Sequence, residues 1–181
     1  MKKTLTIVLA MMLIACVAVG MVACNDADRE FTTKELNKMT QGVDTEKHTI
    51  TVGNTAATSG AYAGVGVPFN YAQEAYFWYF ENHTEGYKDA DGHKYSIEFK
   101  TYDDGFVAET GVTFTKKLVE EDQVFALVGH FGSGTVAATM EYIEGMGVPM
   151  VYGVCGVSQL YNTERNAMTV QPIYDTEGQS M

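Results

Sequence analysis

The chain has 181 residues, 46% of them hydrophobic, and a formal net charge of -11 at neutral pH. That length fits a single domain and is enough to bury a real core. The acidic balance repels phosphate backbones and anionic lipid headgroups, which argues against nucleic-acid binding and against direct adhesion to a membrane surface.

The first 23 residues have the pattern of an export signal. Two lysines follow the initial Met, and no charged residue follows from Thr4 to Ala23. Such a segment is a targeting signal and stands outside the fold. A small residue precedes Cys24 and an acidic one soon follows it, which predicts cleavage of residues 1–23 and lipid attachment to Cys24. Cys16 is the alternative acceptor, and an uncleaved membrane anchor is the alternative to cleavage.

Processing would leave 158 residues and, because the leader carries two lysines and no acid, a net charge of -13. With Cys16 removed and Cys24 lipidated, Cys155 is the one cysteine left, which excludes an intrachain disulfide and a cysteine metal cluster. Residues 24–47 are polar without a sustained period and predict a flexible tether. The folded part is expected over residues 48–181.

Strand and helix patterns alternate in that part. Strands are predicted over 48–54, 95–102, 124–128, 148–152 and 168–171, and helices over 69–80, 107–122 and from the glycine-rich turn to about Met146. This alternation predicts an α/β fold, a doubly wound parallel sheet with strand order 2-1-3-4-5. The aromatic residues at 76–80 are expected to lie mostly in the core.

Three loops follow the first, third and fourth strands, at Thr55–Gly66, Gly129–Thr135 and Gly153–Ser158. In a parallel sheet these loops open at one edge, where ligands bind. Ser133 and Thr135 stand where a helix begins, and the unpaired N–H groups of such an end bind a carboxylate or phosphate. The alternative is that Ser133 caps its helix and the glycines only make a turn.

Other chemistry finds little support. The 129–135 loop lacks the lysine of a phosphate-binding loop and the register of a dinucleotide fingerprint. The four histidines have no helical ligand spacing, so neither a metal site nor a cofactor is expected. Asp103 and Asp104 are expected to shape a turn and a helix start, His130 to make a structural hydrogen bond, and Cys155 to pack. No catalytic set is predicted.

Four segments, in their order and spacing, carry a resemblance: Thr51–Gly53 with Ser59–Gly60, Tyr102–Asp104, Val128–His130 with Ser133 and Thr135, and Val148–Met150. They resemble extracytoplasmic solute-binding proteins of ABC transporters, and among them the branched-chain amino-acid (leucine/isoleucine/valine-type) receptors. The resemblance implies a two-lobed clamshell that closes on a ligand. It implies a protein without catalysis that hands an amino acid or similar small zwitterion to an ABC permease.

The resemblance also implies roles for individual residues. Its ligand-binding positions are Ser133, Gly134 and Thr135 in the gripping loop, Gly153, Cys155 and Gly156 in the next loop, and Tyr62 and Val65 near the covering aromatic. The threonine usual in the second loop is missing here. A cysteine pair that some members bridge corresponds to Phe106 and about Gly132.

The chain stops at Met181, where the resemblance places the first crossing to the second lobe. Residues 48–181 are therefore expected to be an incomplete N-terminal ligand-binding lobe. Two other functions remain open at this point: a sensory lipoprotein that signals occupancy to a partner, and an exported enzyme on a flavodoxin-like sheet.

Overall fold

The computed structural model describes residues 40–157, residue 160 and the strand at 169–170. Its strands are β1 (Val43–Asp44), β2 (Thr49–Ala56), β3 (Tyr87–Lys88), β4 (Lys94–Asp103), β5 (Ala126–Val128), β6 (Met150–Val151) and β7 (Thr169–Val170). Its helices are a 3-10 turn (Gly60–Tyr62), α1 (Ala63–His83), α2 (Ala108–Glu120) and α3 (Ser133–Met146).

The strands form one sheet in the order β3-β4-β2-β5-β6-β7. Strands β4, β2, β5, β6 and β7 run parallel, and the longest pairing runs from Thr49 beside Ser96 to Ala56 beside Asp103. These five correspond to the predicted strands, so the predicted order 2-1-3-4-5 and the doubly wound parallel fold are confirmed. Two short antiparallel strands were not predicted: β1 pairs with β2, and β3 pairs with β4.

Different helices cover the two faces of the sheet. Neighbouring residues of a strand point to opposite faces. A Cβ on Gly53 would stand 2.7 Å from the Leu118 side chain of α2, whereas Asn54 donates to Asn70 of α1. Helix α1 therefore lies on the face opposite α2. The main core joins α2, α3 and the sheet and contains Leu118, Val119, Val124, Leu127, Val136, Met140, Ile143, Val148, Met150, Cys155 and Val157.

The aromatic residues of α1 do not lie where the sequence predicts. Tyr76 and Trp78 are 62% and 60% exposed, and Tyr79 is also exposed. Only Phe77 and Phe80 of the 76–80 set are half-buried. The helix approaches the sheet through small and polar residues, since Gly66 and Asn70 are its buried positions. The expectation of a mostly buried aromatic set is therefore wrong.

The folded unit begins before residue 48. Val43 and Asp44 pair with Ile50 and Thr49, and the Gln41 side chain donates to the carbonyls of Val119 and Val124 at 3.1 and 3.3 Å. The end of the predicted 24–47 tether is thus part of the sheet, because backbone pairing of two residues needs no apolar period. Cys24 and the predicted signal lie outside the described residues. In the described part, no helix is both long and apolar enough to cross a bilayer.

Candidate functional site

Backbone hydrogen bonds gather the three predicted loops at one edge of the sheet. Phe131 N–H donates to Thr55 O at 3.0 Å, which joins the ends of β5 and β2. Gly132 N–H donates to Val154 O at 3.0 Å, and Val154 N–H donates to His130 O at 2.8 Å. The loops after β2, β5 and β6 therefore meet at the carboxyl ends of the strands, as expected.

Helix α3 begins at this edge without a side-chain cap. The residue before its first turn is Gly132, whose φ of 100° is a backbone conformation that L side chains rarely adopt. Among residues 40–157, no side chain accepts a hydrogen bond from the amides of Ser133, Gly134 or Thr135. The first amides of a helix lack partners within it and carry the positive end of the dipole. This end can hold an anion.

Ser133 is the first helical residue and does not cap the helix. Its Oγ accepts the Gly156 N–H at 3.0 Å, and its side chain is exposed. The capping interpretation of Ser133 is therefore wrong. Because an accepting hydroxyl keeps its own proton free to donate, Ser133 can bond a ligand oxygen while it holds the neighbouring loop.

Thr135 lies differently from Ser133. Its side chain is only 3% exposed, and its Oγ1 donates to Asp104 Oδ2 at 3.2 Å. It also fills the space above Gly111, where a Cβ would stand 2.4 Å from Thr135 atoms. The hydroxyl of Thr135 thus joins α3 to the turn after β4 and is already used for structure. Gly134 is exposed beside it.

An aromatic wall stands next to the start of α3. The rings of Tyr62 and Phe106 stack with centroids 3.9 Å apart, and Phe106 meets Phe131 edge-on at 6.0 Å. A Cβ on Gly132 would lie 3.1 Å from Phe106 Cε2, so Phe106 rests against the loop. Tyr62 is 47% exposed and Val65 57% exposed. Both side chains are open to solvent. Of the two, only Tyr62 belongs to the wall, because its ring stacks on Phe106.

The three residues chosen from the last loop are mostly covered. Gly153 and Cys155 are buried, and Gly156 is half-buried with its N–H given to Ser133. Burial raises the pKa of the Cys155 thiol and keeps it protonated. This thiol is therefore a packing group of the main core rather than a nucleophile.

Carboxylates at this edge are already used for structure. Asp103 Oδ1 accepts amides of Thr58, Ser59 and Gly105 at 2.9–3.1 Å. Burial alone would raise the pKa of Asp103, but hydrogen bonds from Ser59 and from these amides outweigh it and hold the pKa below its usual value. Buried Asp104 accepts Phe106 N–H at 2.9 Å. Both acids shape the turn and the helix start, as predicted.

Sequence reasoning missed a buried polar network behind the edge. Asn54 Nδ2 donates to Asn70 Oδ1 at 3.0 Å and to Gly129 O at 3.1 Å, and Asn70 Nδ2 donates to Thr101 Oγ1 at 2.7 Å. The amide of Asn54 therefore fixes Gly129, the first residue of the gripping loop. The one signal in the sequence was an asparagine, a residue depleted in strands, at the end of the strand predicted over 48–54.

Two grooves lie beneath α1, away from the start of α3. The larger, about 540 Å³, is lined mainly by apolar side chains, among them Val43, Ile50, Val52, Phe77 and Ile97. The smaller, about 450 Å³, borders Gly129 and Val154. Neither is lined by Ser133 or Thr135. The chemistry for holding a carboxylate lies at the loop edge instead.

Solved structures share this fold. A possible leucine/isoleucine/valine-binding protein from Rhodopirellula baltica is 20% identical, with a TM-score of 0.58 over 67% of this chain and 31% of its own. A branched-chain amino acid transporter substrate-binding protein from Streptococcus pneumoniae, solved with isoleucine, is 23% identical, with a TM-score of 0.59 over 70% and 34%. A solute-binding protein of an ABC transporter from Rhodopseudomonas palustris, solved with benzoate, is 22% identical, with a TM-score of 0.58 over 72% and 34%.

The chain thus spans about a third of the length of these solved relatives. No protein of curated function matches it significantly. A family model described as periplasmic binding protein matches residues 49–181, most of the chain. With the parallel sheet and the loop edge described above, the chain belongs to the periplasmic binding protein family, of which it represents one partial type I lobe.

Proposed function

We propose that this chain is part of a solute-binding protein that captures a small organic carboxylate outside the cell and passes it to an ABC permease. One observation carries the proposal: the uncapped start of α3 places the backbone amides of Ser133 and Gly134 and the Ser133 hydroxyl at an exposed edge. A carboxylate is the natural occupant of such an end because the amides donate to it and the helix dipole favours negative charge.

The ligand's apolar part is assigned to the aromatic wall of Tyr62 and Phe106. That wall stands against Gly132, directly before the amides of α3. A ligand with a carboxylate at one end and an apolar body at the other would place the body on these rings. Branched-chain amino acids meet this description, and so do aromatic acids.

The choice between these ligands depends on an acceptor for the α-ammonium group. Near the start of α3, the carboxylates of Asp103 and Asp104 already accept amide or hydroxyl hydrogen bonds. A simple aromatic acid needs no ammonium acceptor. An amino acid is the first candidate because of the family resemblance. An aromatic carboxylate is the second candidate because Asp103 and Asp104 already have hydrogen-bond partners.

We further propose lipid attachment through Cys24 at the outer face of the cell membrane, and binding without catalysis. The family is one of transport binding proteins, which are generally not enzymes. The export pattern before Cys24 supports the anchor. Metabolic labelling with a palmitate analogue is expected to mark the parent and not Cys24→Ser, while Cys16→Ser keeps the label. Labelling of Cys24→Ser would contradict the anchor assignment.

The ligand proposal is tested by an NMR titration of the ¹⁵N-labelled full chain in detergent. Leucine, isoleucine, valine and benzoate are added in turn at millimolar concentrations, because one lobe supplies only part of the contacts. The expected result is amide shifts centred on Ser133, Gly134 and Thr135. A shift with benzoate and none with the amino acids would select the aromatic class.

Ser133→Ala and Ser96→Ala form the matched pair for this titration. Both serines are exposed, but Ser96 lies at the other end of the sheet. Loss of a hydrogen bond to a charged group costs about 1.5–3 kcal/mol, so Ser133→Ala should weaken binding about tenfold or more. Equal binding by the two variants, or shifts confined to other residues, would overturn the proposed site.

A further inference from the structure

Three side chains that can bind a metal meet at the amino ends of β2 and β4, at the other end of the strands from the start of α3. His48 directly precedes β2 and His93 directly precedes β4, and Ser96 N–H donates to His48 O at 2.9 Å. Asp89 lies in the hairpin between β3 and β4, where its Oδ1 accepts His93 N–H at 2.8 Å. Strand β2 has eight residues, so this cluster lies roughly 25 Å from the start of α3.

The geometry of the cluster is compact. His93 Nδ1 lies 3.1 Å from Asp89 Oδ2, and the rings of His48 and His93 stack with centroids 4.7 Å apart and planes 11° from parallel. One ligand atom from each of the three residues lies within 4.8 Å of the others. Ligands of a tetrahedral zinc ion, each about 2.0–2.1 Å from the metal, stand roughly 3.3 Å apart. Rotation of the exposed His93 ring can bring its ligand atom from a separation of up to 4.8 Å toward the spacing of zinc ligands.

A further observation points to a cation. Within the described residues, the Nδ1 atom of His48 is buried and has no hydrogen-bond partner. The Tyr95 ring meets His48 edge-on at 5.2 Å, so this imidazole lies against an aromatic neighbour. A divalent cation would supply a partner for the imidazole of His48 and offset the carboxylate of Asp89.

We propose that His48, Asp89 and His93 form a binding site for a divalent transition-metal ion of the zinc type. Two imidazoles and one carboxylate select zinc, copper or nickel over magnesium and calcium, which prefer all-oxygen ligands. Three protein ligands leave a position for water. The ion would link His48, just before β2, to the β3–β4 hairpin, so its role is structural. It is separate from the proposed carboxylate site at the start of α3.

Sequence spacing conceals this site. His48 and His93 are far apart in the chain and neither lies in a helix, so the absence of helical ligand spacing did not bear on them. The pairing of the parallel strands β2 and β4 is what brings them together, with Thr49 beside Ser96. The expectation of no metal site was drawn from helical spacing, which does not cover ligands on neighbouring strands.

Zinc alone is the probe. Titration of the full chain with zinc chloride, followed calorimetrically, should show one ion per chain, and cobalt chloride should give the visible absorption of a protein-bound cobalt ion. His93→Asn, Asp89→Asn and His48→Asn should each lower zinc affinity about tenfold or more. Asn keeps an acceptor at position 89 and tolerates the φ of 54° at position 48.

The matched control is His83→Asn, which removes an exposed histidine on α1 outside the cluster. It should leave the zinc affinity and the rise in melting temperature with zinc unchanged. Melting curves without zinc verify that each variant is folded, and His93→Asn decides the case because its side chain is exposed. Zinc binding that survives His93→Asn, or no zinc binding by the parent, would overturn the site.

Discussion

The imidazole of His130 accepts the backbone N–H of Thr55 at 3.2 Å and so fastens the end of β2 to the loop that starts α3. Its Nε2 lies 3.0 Å from Thr115 Oγ1, and that hydroxyl donates its proton to Gly111 O at 2.7 Å. Nε2 must therefore carry the ring proton while Nδ1 accepts. Burial lowers the pKa of His130 to about 4, which keeps this neutral tautomer in place.

The lowered pKa of His130 predicts an acid-sensitive fold. A histidine in the unfolded chain has a pKa of about 6.5. Below that pH the unfolded chain binds a proton at this histidine, whereas the folded chain does not. The contribution of His130 to stability is therefore complete above pH 6.5 and is lost as the pH falls to about 4. The difference in pKa corresponds to about 3 kcal/mol. Urea unfolding between these pH values measures it.

His130→Gln provides the comparison for this titration. The variant should be less stable than the parent at neutral pH, since it disturbs two buried hydrogen bonds, but it should lack the loss of stability between pH 6.5 and pH 4. His83→Asn, at an exposed position, should keep that loss. An unchanged pH dependence in His130→Gln would show that other groups cause it.

Replacing Gly66 with alanine should lower the stability of the fold. A Cβ at Gly66 would stand 2.0 Å from the carbonyl oxygen of Ala57, a backbone atom that cannot rotate away. Helix α1 would have to move off the loop after β2, at a cost of about 1–3 kcal/mol. Chemical denaturation of Gly66→Ala measures this destabilisation.

Gly64, in the same helix, is the control for Gly66. A Cβ there meets nothing within 4 Å. Gly64→Ala should therefore stabilise the protein by up to about 1 kcal/mol, because alanine favours the helix and restricts the unfolded chain. If both substitutions change stability by the same amount and in the same direction, the close approach of α1 to Ala57 is not a real constraint.

Local patterns explain why the order of the parallel strands could be predicted. The short apolar run of β5 has Leu127 fully buried, and such runs occur in strands covered on both faces. The edge that gathers the three loops follows from the parallel order alone. The end of α3 could also be predicted, because glycine commonly follows the last residue of a helix. In the structure Gly147 ends α3 in the left-handed conformation.

Burial along α1 could not be predicted, because apolar residues surround that helix instead of forming one stripe. Its sheet-facing positions include Asn70, which is held by Asn54, while Tyr76 and Trp78 face solvent. Residue type ranks an aromatic side chain as more buried than an asparagine. Only the tertiary contact between two asparagines reverses the ranking here. The two-residue strand β1 is likewise too short for any period to reveal.

Cys155 should react slowly in the folded protein. Its side chain is 3% exposed and burial raises the pKa of the thiol, so the reactive thiolate is scarce. Each unit of raised pKa lowers the thiolate fraction about tenfold at neutral pH. Iodoacetamide labelling, followed by mass spectrometry of the peptide that contains Cys155, should be at least about tenfold faster in urea than in buffer.

A cysteine placed at exposed Ser96 calibrates this labelling experiment. Ser96→Cys should be labelled rapidly both in buffer and in urea, because its side chain is open to solvent. Rapid native labelling of Cys155, at the rate of this reference cysteine, would contradict its placement in the main core.

The hydrogen bond from Thr135 to Asp104 should determine how α3 sits on the turn after β4. Asp104 is buried, so losing the hydroxyl partner leaves a carboxylate oxygen without its 3.2 Å contact. Thr135→Val keeps the side-chain shape and should cost about 1.5–3 kcal/mol, the range for hydrogen bonds to charged groups. Thr135→Ser keeps the hydroxyl and should cost about 1 kcal/mol through the lost methyl group. Thermal and urea unfolding give both values.

The exposed threonine of α2 separates this effect from a general loss of hydroxyl groups. Thr113 Oγ1 donates to Glu109 O on the helix surface, so Thr113→Val should change stability by less than about 0.5 kcal/mol. A double-mutant cycle of Thr135→Val with Asp104→Asn should then give a coupling energy of about 0.5–3 kcal/mol, since the two side chains are in contact. Additive effects of the two substitutions would mean that the contact does not hold α3, and the amides of the proposed carboxylate site would have to be positioned by other contacts.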